Sequence, residues 1–201
     1  MLFRSQLAGV PAANTHWTHF RVIDSAAEAS ATNQYAGDLR GLWLVVQDMD
    51  RAWLRESGLA DGNIYSMQSG RKHLARGAPA DSSDWDRFLG GVRNEQKAAW
   101  WRANLELPVY YGFHAVSRIM GNVDLRPDGN HGYYRAPNGH WSPFPWDHDM
   151  MLVPRFHQPG HIDAIRCLNQ PELKIEFGNR AREILDLFCA DATPEIGRAH
   201  V

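Results

Sequence analysis

The chain lacks the features that define several common classes of protein. Its 201 residues contain two cysteines, which are too few for a disulfide framework and do not have the C-x-x-C spacing of a metal site. Lys and Arg number 21 against 23 acidic residues, so the basic excess of a nucleic-acid-binding domain is absent. The longest apolar run covers only residues 42–46, whereas a helix that spans a membrane needs about 20 apolar residues. We therefore expect no disulfide scaffold, no nucleic-acid partner and no membrane span.

What is present is enough to build a core. Hydrophobic residues make up 44% of the chain and aromatic residues 11%, which is not the composition of a disordered segment. The length predicts one domain, or one lobe and part of another. We interpret Cys167 and Cys189 as small core residues, because both fall within apparent helices.

Both ends of the sequence are unusual. Residues 1–8 have the pattern of the last turns of a helix, which residues 9–11 (GVP) then end. Residues 195–201 (EIGRAHV) have no periodicity, follow a helix-stopping proline, and can be encoded by codons that contain a common sequencing-adapter sequence. We expect residues 1–194 to be part of a longer domain and residues 195–201 to be a non-native tail.

Hydrophobic periodicity and turn residues predict a mixed order of helices and strands. Strands are expected at 16–23, 39–47 and 62–67, the first two as an antiparallel pair, and a hairpin at 132–135 and 139–146. Helices are expected at 48–57, from a cap at Ser83 or Asp84, at 108–120, and twice within 161–192 around Pro171. A loop is expected at 69–82. This order predicts an α+β fold.

Acidic and amide side chains are concentrated between residues 121 and 151. Asp124, Asp128 and Asn130 follow a predicted helix, and Asp147 and Asp149 end the predicted hairpin. Oxygen ligands of this kind can hold a hard divalent cation, as phosphate-transferring enzymes require. The alternative is that these residues form ordinary turns. Their order, with an acid and then an Asn before a hairpin that ends in a second acid, is the layout of a kinase C-lobe.

The same residues belong to a series of blocks in a fixed order. The blocks are residues 3–11 (FRSQLAGVP), 41–50 (GLWLVVQDMD), 61–65 (DGNIY), 121–124 (GNVD), 131–134 (HGYY) and 145–149 (PWDHD). In this series the chain resembles the CotH (spore coat protein H) kinase family, an atypical secretory-type group of protein kinases, over roughly residues 2–192.

The resemblance implies a fold and a set of roles. The fold would be an atypical protein-kinase-like α+β fold, with a partial N-lobe and a mostly helical C-lobe that carries a metal-binding hairpin. Asp124 matches the catalytic-loop Asp, Asp147 matches the metal-binding Asp, Asp149 is the second acid of the signature, and Asn130 is a candidate cofactor-binding residue. The implied cofactors are ATP and Mg²⁺ or Mn²⁺, and the implied location is secreted, cell-surface or spore coat.

Some residues depart from the family pattern. Gln47 stands where a Glu is usual, and Gly132 stands where an Asn is common. The upstream strands that would carry the nucleotide-binding Lys are not in the sequence. The only lysines are Lys72, Lys97 and Lys174, and none is predicted to lie on a suitable strand.

Some residues could form a metal site or a phosphate contact, but they have simpler interpretations. A transition-metal site built from His140, His148 and the nearby acids is disfavoured, because His148 should point away from Asp147 and Asp149 along a strand. Lys72 could contact a phosphate, but a solvated loop is the simpler interpretation.

Two functions of different classes follow. The first is a metal-dependent protein kinase that, in its full-length form, transfers the γ-phosphate of ATP to Ser or Thr hydroxyls of a protein substrate, although the 201 residues alone are expected to be inactive. The second, favoured by Gln47, is a non-catalytic kinase-like scaffold or a surface or coat assembly protein.

Overall fold

The computed structural model describes residues 2–22, 39–94, 96–152 and 166–190. The chain divides into a small unit, residues 13–48, and a large unit made of residues 1–12 and 49–201. Helices and antiparallel strands are mixed along the chain, so the α+β prediction is confirmed. The predicted tail at 195–201 lies outside the described residues.

The small unit is a two-stranded antiparallel ribbon. Strand β1 (Thr15–Arg21) pairs with β2 (Leu39–Val46), as predicted, and the register shifts at Phe20 and Arg21. The backbone N–H of Gln47 donates to the Asn14 carbonyl at 2.9 Å, and its side-chain oxygen accepts from the Asn14 N–H at 3.2 Å. Gln47 therefore closes the open end of this ribbon.

The large unit contains a four-stranded sheet in the order β4-β3-β5-β6, with every neighbouring pair antiparallel. Its strands are β3 (Asn63–Ser66), β4 (Gly70–His73), β5 (His131–Arg135) and β6 (Trp141–Pro145). The predicted hairpin is confirmed as β5 and β6. The predicted loop at 69–82 is wrong in part, because β4 lies within it. This edge strand has the sequence GRKH and exposes Arg71 and Lys72, so it gives no apolar alternation.

Six helices with assigned bounds lie within the described residues. They are α1 (Leu2–Leu7), α2 (Arg51–Glu56), α3 (Ser83–Arg93), α4 (Ala98–Asn104), α5 (Leu107–Ile119) and α6 (Pro171–Ala190). In the described part of the chain, none has both the length and the apolar character needed to cross a membrane. The predicted cap of α3 is wrong: its N-cap is Ser82, with φ 57° and no side-chain cap bond. The Asp84 carboxylate instead accepts hydrogen bonds from β3.

Helix α5 is the centre of the large unit. It packs against α1, α6 and β6, and residues 110–117 are all buried. At Gly112 an added Cβ would lie 3.0 Å from the carbonyl oxygen of Ala8, so glycine allows the close approach of α1. The cysteine prediction holds for Cys167, which is buried, but is wrong for Cys189, which is exposed on the last turn of α6.

A cluster of aromatic rings joins the sheet to α3. Tyr65 stacks on Trp85 with ring centroids 4.9 Å apart, and Phe88 stacks on Trp141 at 4.5 Å. All four rings are buried, as is Tyr133 beside them. The cluster fixes the position of β5, which begins at His131. It therefore also fixes the end of the chain segment that precedes residue 131.

Gly132 is required by packing. A Cβ at this position would lie 2.5 Å from the Tyr65 carbonyl oxygen and would also overlap the Phe144 ring. We expect Gly132→Ala to lower the free energy of unfolding by about 1–3 kcal/mol, because the overlap forces the sheet to shift. Chemical denaturation measures this change.

The matched control is Gly90→Ala, in helix α3, where an added Cβ meets nothing within 4 Å. This variant should be neutral or slightly more stable, because alanine favours a helix over glycine. Equal destabilisation by the two changes would contradict the packing account. The same overlap explains why the Asn common in the CotH family does not fit here.

Stability should fall in strong alkali. Burial, and then a hydrogen bond to Asp84, raises the pKa of Tyr65 to about 12. The unfolded phenol ionises near pH 10, so the stabilisation is complete below pH 10 and is lost as the pH rises towards 12. Burial also raises the pKa of Tyr111 and Tyr134. Urea unfolding between pH 9 and 12 should show this loss, and Tyr65→Phe should make it smaller; an unchanged pH dependence in that variant would contradict the assignment.

Candidate functional site

The candidate site begins where helix α5 ends. Gly121, with φ 59°, donates its N–H to the Arg118 carbonyl at 3.1 Å, and the Asn122 N–H bonds the Ser117 carbonyl at 2.9 Å. This pairing is a Schellman-type helix end, which satisfies the last carbonyl groups of the helix. It also gives the loop that follows, residues 122–130, a fixed start on the central helix.

Asp124 is held by residues of its own loop. Its backbone N–H donates to the Asn122 side-chain oxygen at 3.0 Å, in the manner of an Asx turn. One carboxylate oxygen lies 3.3 Å from Nε of Arg126, and the side chain is 32% exposed. The predicted catalytic acid is thus positioned by the backbone and remains accessible to solvent.

Asn130 connects both halves of the site. Its side-chain Nδ2 donates to the backbone oxygen of Asp124 at 2.8 Å and to the Asp124 Oδ2 at 2.6 Å. Its backbone carbonyl accepts from the Trp146 N–H at 3.2 Å and from His148 Nε2 at 3.0 Å. A carbonyl can only accept, so Nε2 is the protonated nitrogen of His148 in this contact. Asn130 therefore bonds Asp124 directly and bonds the residues on both sides of Asp147.

The segment that carries Asp147 runs back along the loop. The Val123 N–H donates to the Met150 carbonyl at 3.1 Å, and the Leu152 N–H donates to the Met120 carbonyl at 3.0 Å. Strand β6 ends at Pro145, so Asp147 lies beyond the strand, contrary to the prediction. Its backbone is left-handed, with φ 50°. The expected alternation of side chains along a strand therefore does not apply at His148.

Left-handed backbone is concentrated at this site. Within the described ranges four non-glycine residues have positive φ, and three of them, Asn130, Asp147 and Leu152, are in the two segments just described. Such conformations cost about 1–3 kcal/mol each and occur often at functional sites. Asn and Asp tolerate this region better than most residues do.

Gln68 is a site residue that the sequence prediction missed. It lies in the turn between β3 and β4, and its Nε2 donates to the Asn130 Oδ1 at 3.2 Å. The residues are far apart in sequence, and a Gln in a polar turn carries no signal of such a contact. Asn122 was also missed, although an Asn two residues before the Asp is a recognisable Asx-turn signal.

The predicted ligands are not all in contact with one another. Within the part of the chain that the structure describes, the carboxylates of Asp147 and Asp149 are exposed and make no hydrogen bond to Asp124 or Asn130. In the same ranges no three His, Cys, Asp or Glu side chains lie together as a ready-made metal cluster. The site offers instead carboxylates that face solvent, beside the buried amide oxygen of Asn130, which accepts from Gln68.

Two carboxylates outside the site have structural partners. A hydrogen bond from His73 lowers the pKa of Asp61, and a hydrogen bond from Arg102 lowers the pKa of Glu176. Both pairs lie away from the loop at 122–130. They hold strand β4 and helix α4 in place, and we assign them no chemistry.

Comparison with known protein families gives a match that includes the segments of the candidate site. The protein-family comparison matches residues 8–166 to the family described as CotH kinase protein. The search of curated proteins gave no match. The matched span covers more than half of the chain and includes Asp124, Asn130, Asp147 and Asp149. The chain therefore belongs to the CotH kinase family.

Proposed function

We propose that this protein, in its full-length form, is a metal-dependent kinase that transfers the γ-phosphate of ATP to Ser or Thr hydroxyls of a protein substrate. The observation that supports the proposal most is the bonding of Asn130 to Asp124 and to both residues that flank Asp147. Phosphate transfer needs a base and a metal-binding acid held close together. Asn130 links the two segments that carry Asp124 and Asp147.

Asp124 is the proposed base. In the transfer step the acceptor hydroxyl oxygen forms a bond to the γ-phosphorus, the bond from that phosphorus to the ADP oxygen breaks, and the hydroxyl proton passes to the Asp124 carboxylate. Each carboxylate oxygen has two lone pairs, so the contacts with Asn130 and Arg126 leave capacity for this proton. The contacts also hold the carboxylate in one orientation.

The donor set fits a hard cation such as Mg²⁺ or Mn²⁺. Mg²⁺ is usually bound by one or two carboxylates together with substrate phosphates and waters, so a cluster of three protein acids is not required. Asp147 and Asp149 would supply the carboxylates. The Asn130 amide oxygen accepts one hydrogen bond from Gln68 and has a second lone pair that it would supply to the cation. When bound, the cation neutralises charge on the phosphate oxygens.

A second candidate is a non-catalytic kinase-like scaffold or a surface or coat assembly protein. Gln47 favours it, because an amide replaces the carboxylate that is usual in the family, and this amide takes part in closing the β1–β2 ribbon. A scaffold would not need to bind nucleotide.

Calorimetric titration of the full-length protein with ATP, with and without Mn²⁺, separates the two functions. The kinase proposal expects binding that depends on Mn²⁺ and that Asp147→Asn abolishes. A matched control is Asp128→Asn, because Asp128 is an exposed acid of the neighbouring loop. Absence of Mn²⁺-dependent binding by the wild-type protein would favour the scaffold.

A further inference from the structure

Lys72 lies at the candidate site, although the sequence placed it in a solvated loop. It is on strand β4, and its ammonium nitrogen is 5.4 Å from the centroid of the Trp146 ring. This is the distance of a cation–π contact. Trp146 is the residue before Asp147, and its N–H bonds Asn130. The contact therefore fixes a positive charge beside the segment that carries Asp147.

A small cavity lies between the β3–β4 turn and Trp146. Its volume is about 100 Å³, and its lining residues are Met49, Ser66, Gln68, Ser69, Lys72, Phe144 and Trp146. A water molecule takes about 30 Å³ in the liquid, so the space is large enough for a group of a few heavy atoms such as a phosphate. The cavity adjoins the site, because Gln68 in its wall is hydrogen-bonded to Asn130.

The polar groups of this cavity are suited to an anion. The Ser66 hydroxyl oxygen accepts from the backbone N–H groups of Gln68 and Ser69, at 3.2 and 3.3 Å. With its oxygen accepting, the hydroxyl hydrogen can be donated to a ligand. Lys72 adds an ammonium group with three donors, and a phosphate group has the oxygens to accept from both.

The charges at the site give the Lys72 ammonium a role in binding this ligand. Asp124, Asp147 and Asp149 make the site negative, with Arg126 as the cation bonded to Asp124. A nucleotide triphosphate is also strongly negative, and one divalent cation does not cancel the combined charge. We propose that Lys72 binds a phosphate group of the nucleotide in this cavity. The proposal rests on the proposed kinase function.

The test measures binding and not activity. In the full-length protein, titration with ATP and Mn²⁺ should give a Kd about ten- to a hundredfold higher for Lys72→Met than for the wild type, because a hydrogen bond to a charged group is lost. Lys72→Arg keeps the charge and should stay within about threefold. The matched control is Lys174→Met, at an exposed position on α6, which should leave Kd unchanged.

The outcomes separate the two proposals. If the wild type binds no ATP with Mn²⁺, the kinase function fails, and the role of Lys72 fails with it. If the wild type binds and Lys72→Met behaves like Lys174→Met, only the role of Lys72 is overturned. Titration with O-phosphoserine tests the other source of phosphate, a phosphorylated side chain. If Lys72→Met loses affinity for O-phosphoserine and not for ATP, the nucleotide assignment is overturned. Thermal unfolding of Lys72→Met and of Lys72→Gln should match that of the wild type. A loss of ATP affinity that both variants share then reports on binding and not on folding.

Discussion

Replacing Asp124 by asparagine in the full-length protein is expected to lower the rate of phosphate transfer by about 10²–10⁴-fold, the usual contribution of a general base. Asparagine has the same size and can still accept from Asn130 through its amide oxygen, but it does not take up the hydroxyl proton. The measurement is transfer of labelled γ-phosphate from ATP with Mn²⁺, followed on the protein itself and on dephosphorylated casein.

The control for this prediction is Asp128→Asn, a change of the same chemistry at an exposed position of the same loop. It should leave the rate within about twofold of the wild-type rate, because the Asp128 side chain takes no part in the hydrogen bonds that hold Asp124. Binding of ATP with Mn²⁺ should persist in Asp124→Asn. A variant that retains full transfer activity would show that Asp124 is not the base.

Asp84→Ala is expected to lower the free energy of unfolding by about 2–4 kcal/mol, because two buried donors lose the charged acceptor of their hydrogen bonds. The Asp84 carboxylate accepts from the Asn63 amide at 2.8 Å and from the Tyr65 hydroxyl at 2.8 Å, and it lies 3.5 Å from the Arg135 guanidinium. Without it the two donors of β3 remain buried and lose their acceptor. Urea unfolding measures the loss.

The matched control is Asp86→Ala, two residues along the same helix, where the side chain is exposed. It should change the free energy of unfolding by no more than about 0.5 kcal/mol, the usual range for surface positions. Similar losses in the two variants would mean that the helix terminus, and not the network around Asp84, is the source of the stability.

The sequence predicted those elements whose local pattern agrees with their packing. Hairpin β5–β6 has a turn signal at residues 137–139, and the β1–β2 pair has bulky, β-branched strands, so both were predicted correctly. Strand β4 and the α3 cap were not. The edge strand β4 is polar, and Asp84 is used by a strand distant in sequence, so neither has a local pattern that reveals its structure.

The geometry of the candidate site could be predicted only in part. The family blocks indicated Asp124, Asn130, Asp147 and Asp149, and the structure brings the first two into contact. The contact of Gln68 with Asn130, and that of Lys72 with Trp146, join β3 and β4 to segments far along the chain. They depend on the pairing of β3 with β5, which a short-range pattern does not contain. The left-handed backbone at Asp147 also has no local signal, because no glycine marks it.

The most direct test of the account is to locate the cation. Crystals of the full-length protein grown with ATP and Mn²⁺ can be measured at a wavelength where manganese scatters anomalously. We predict an anomalous peak about 2.0–2.3 Å from a carboxylate oxygen of Asp147, with the nucleotide phosphates beside it. Bound nucleotide with no manganese at Asp147, or manganese held only elsewhere on the protein, would contradict the account.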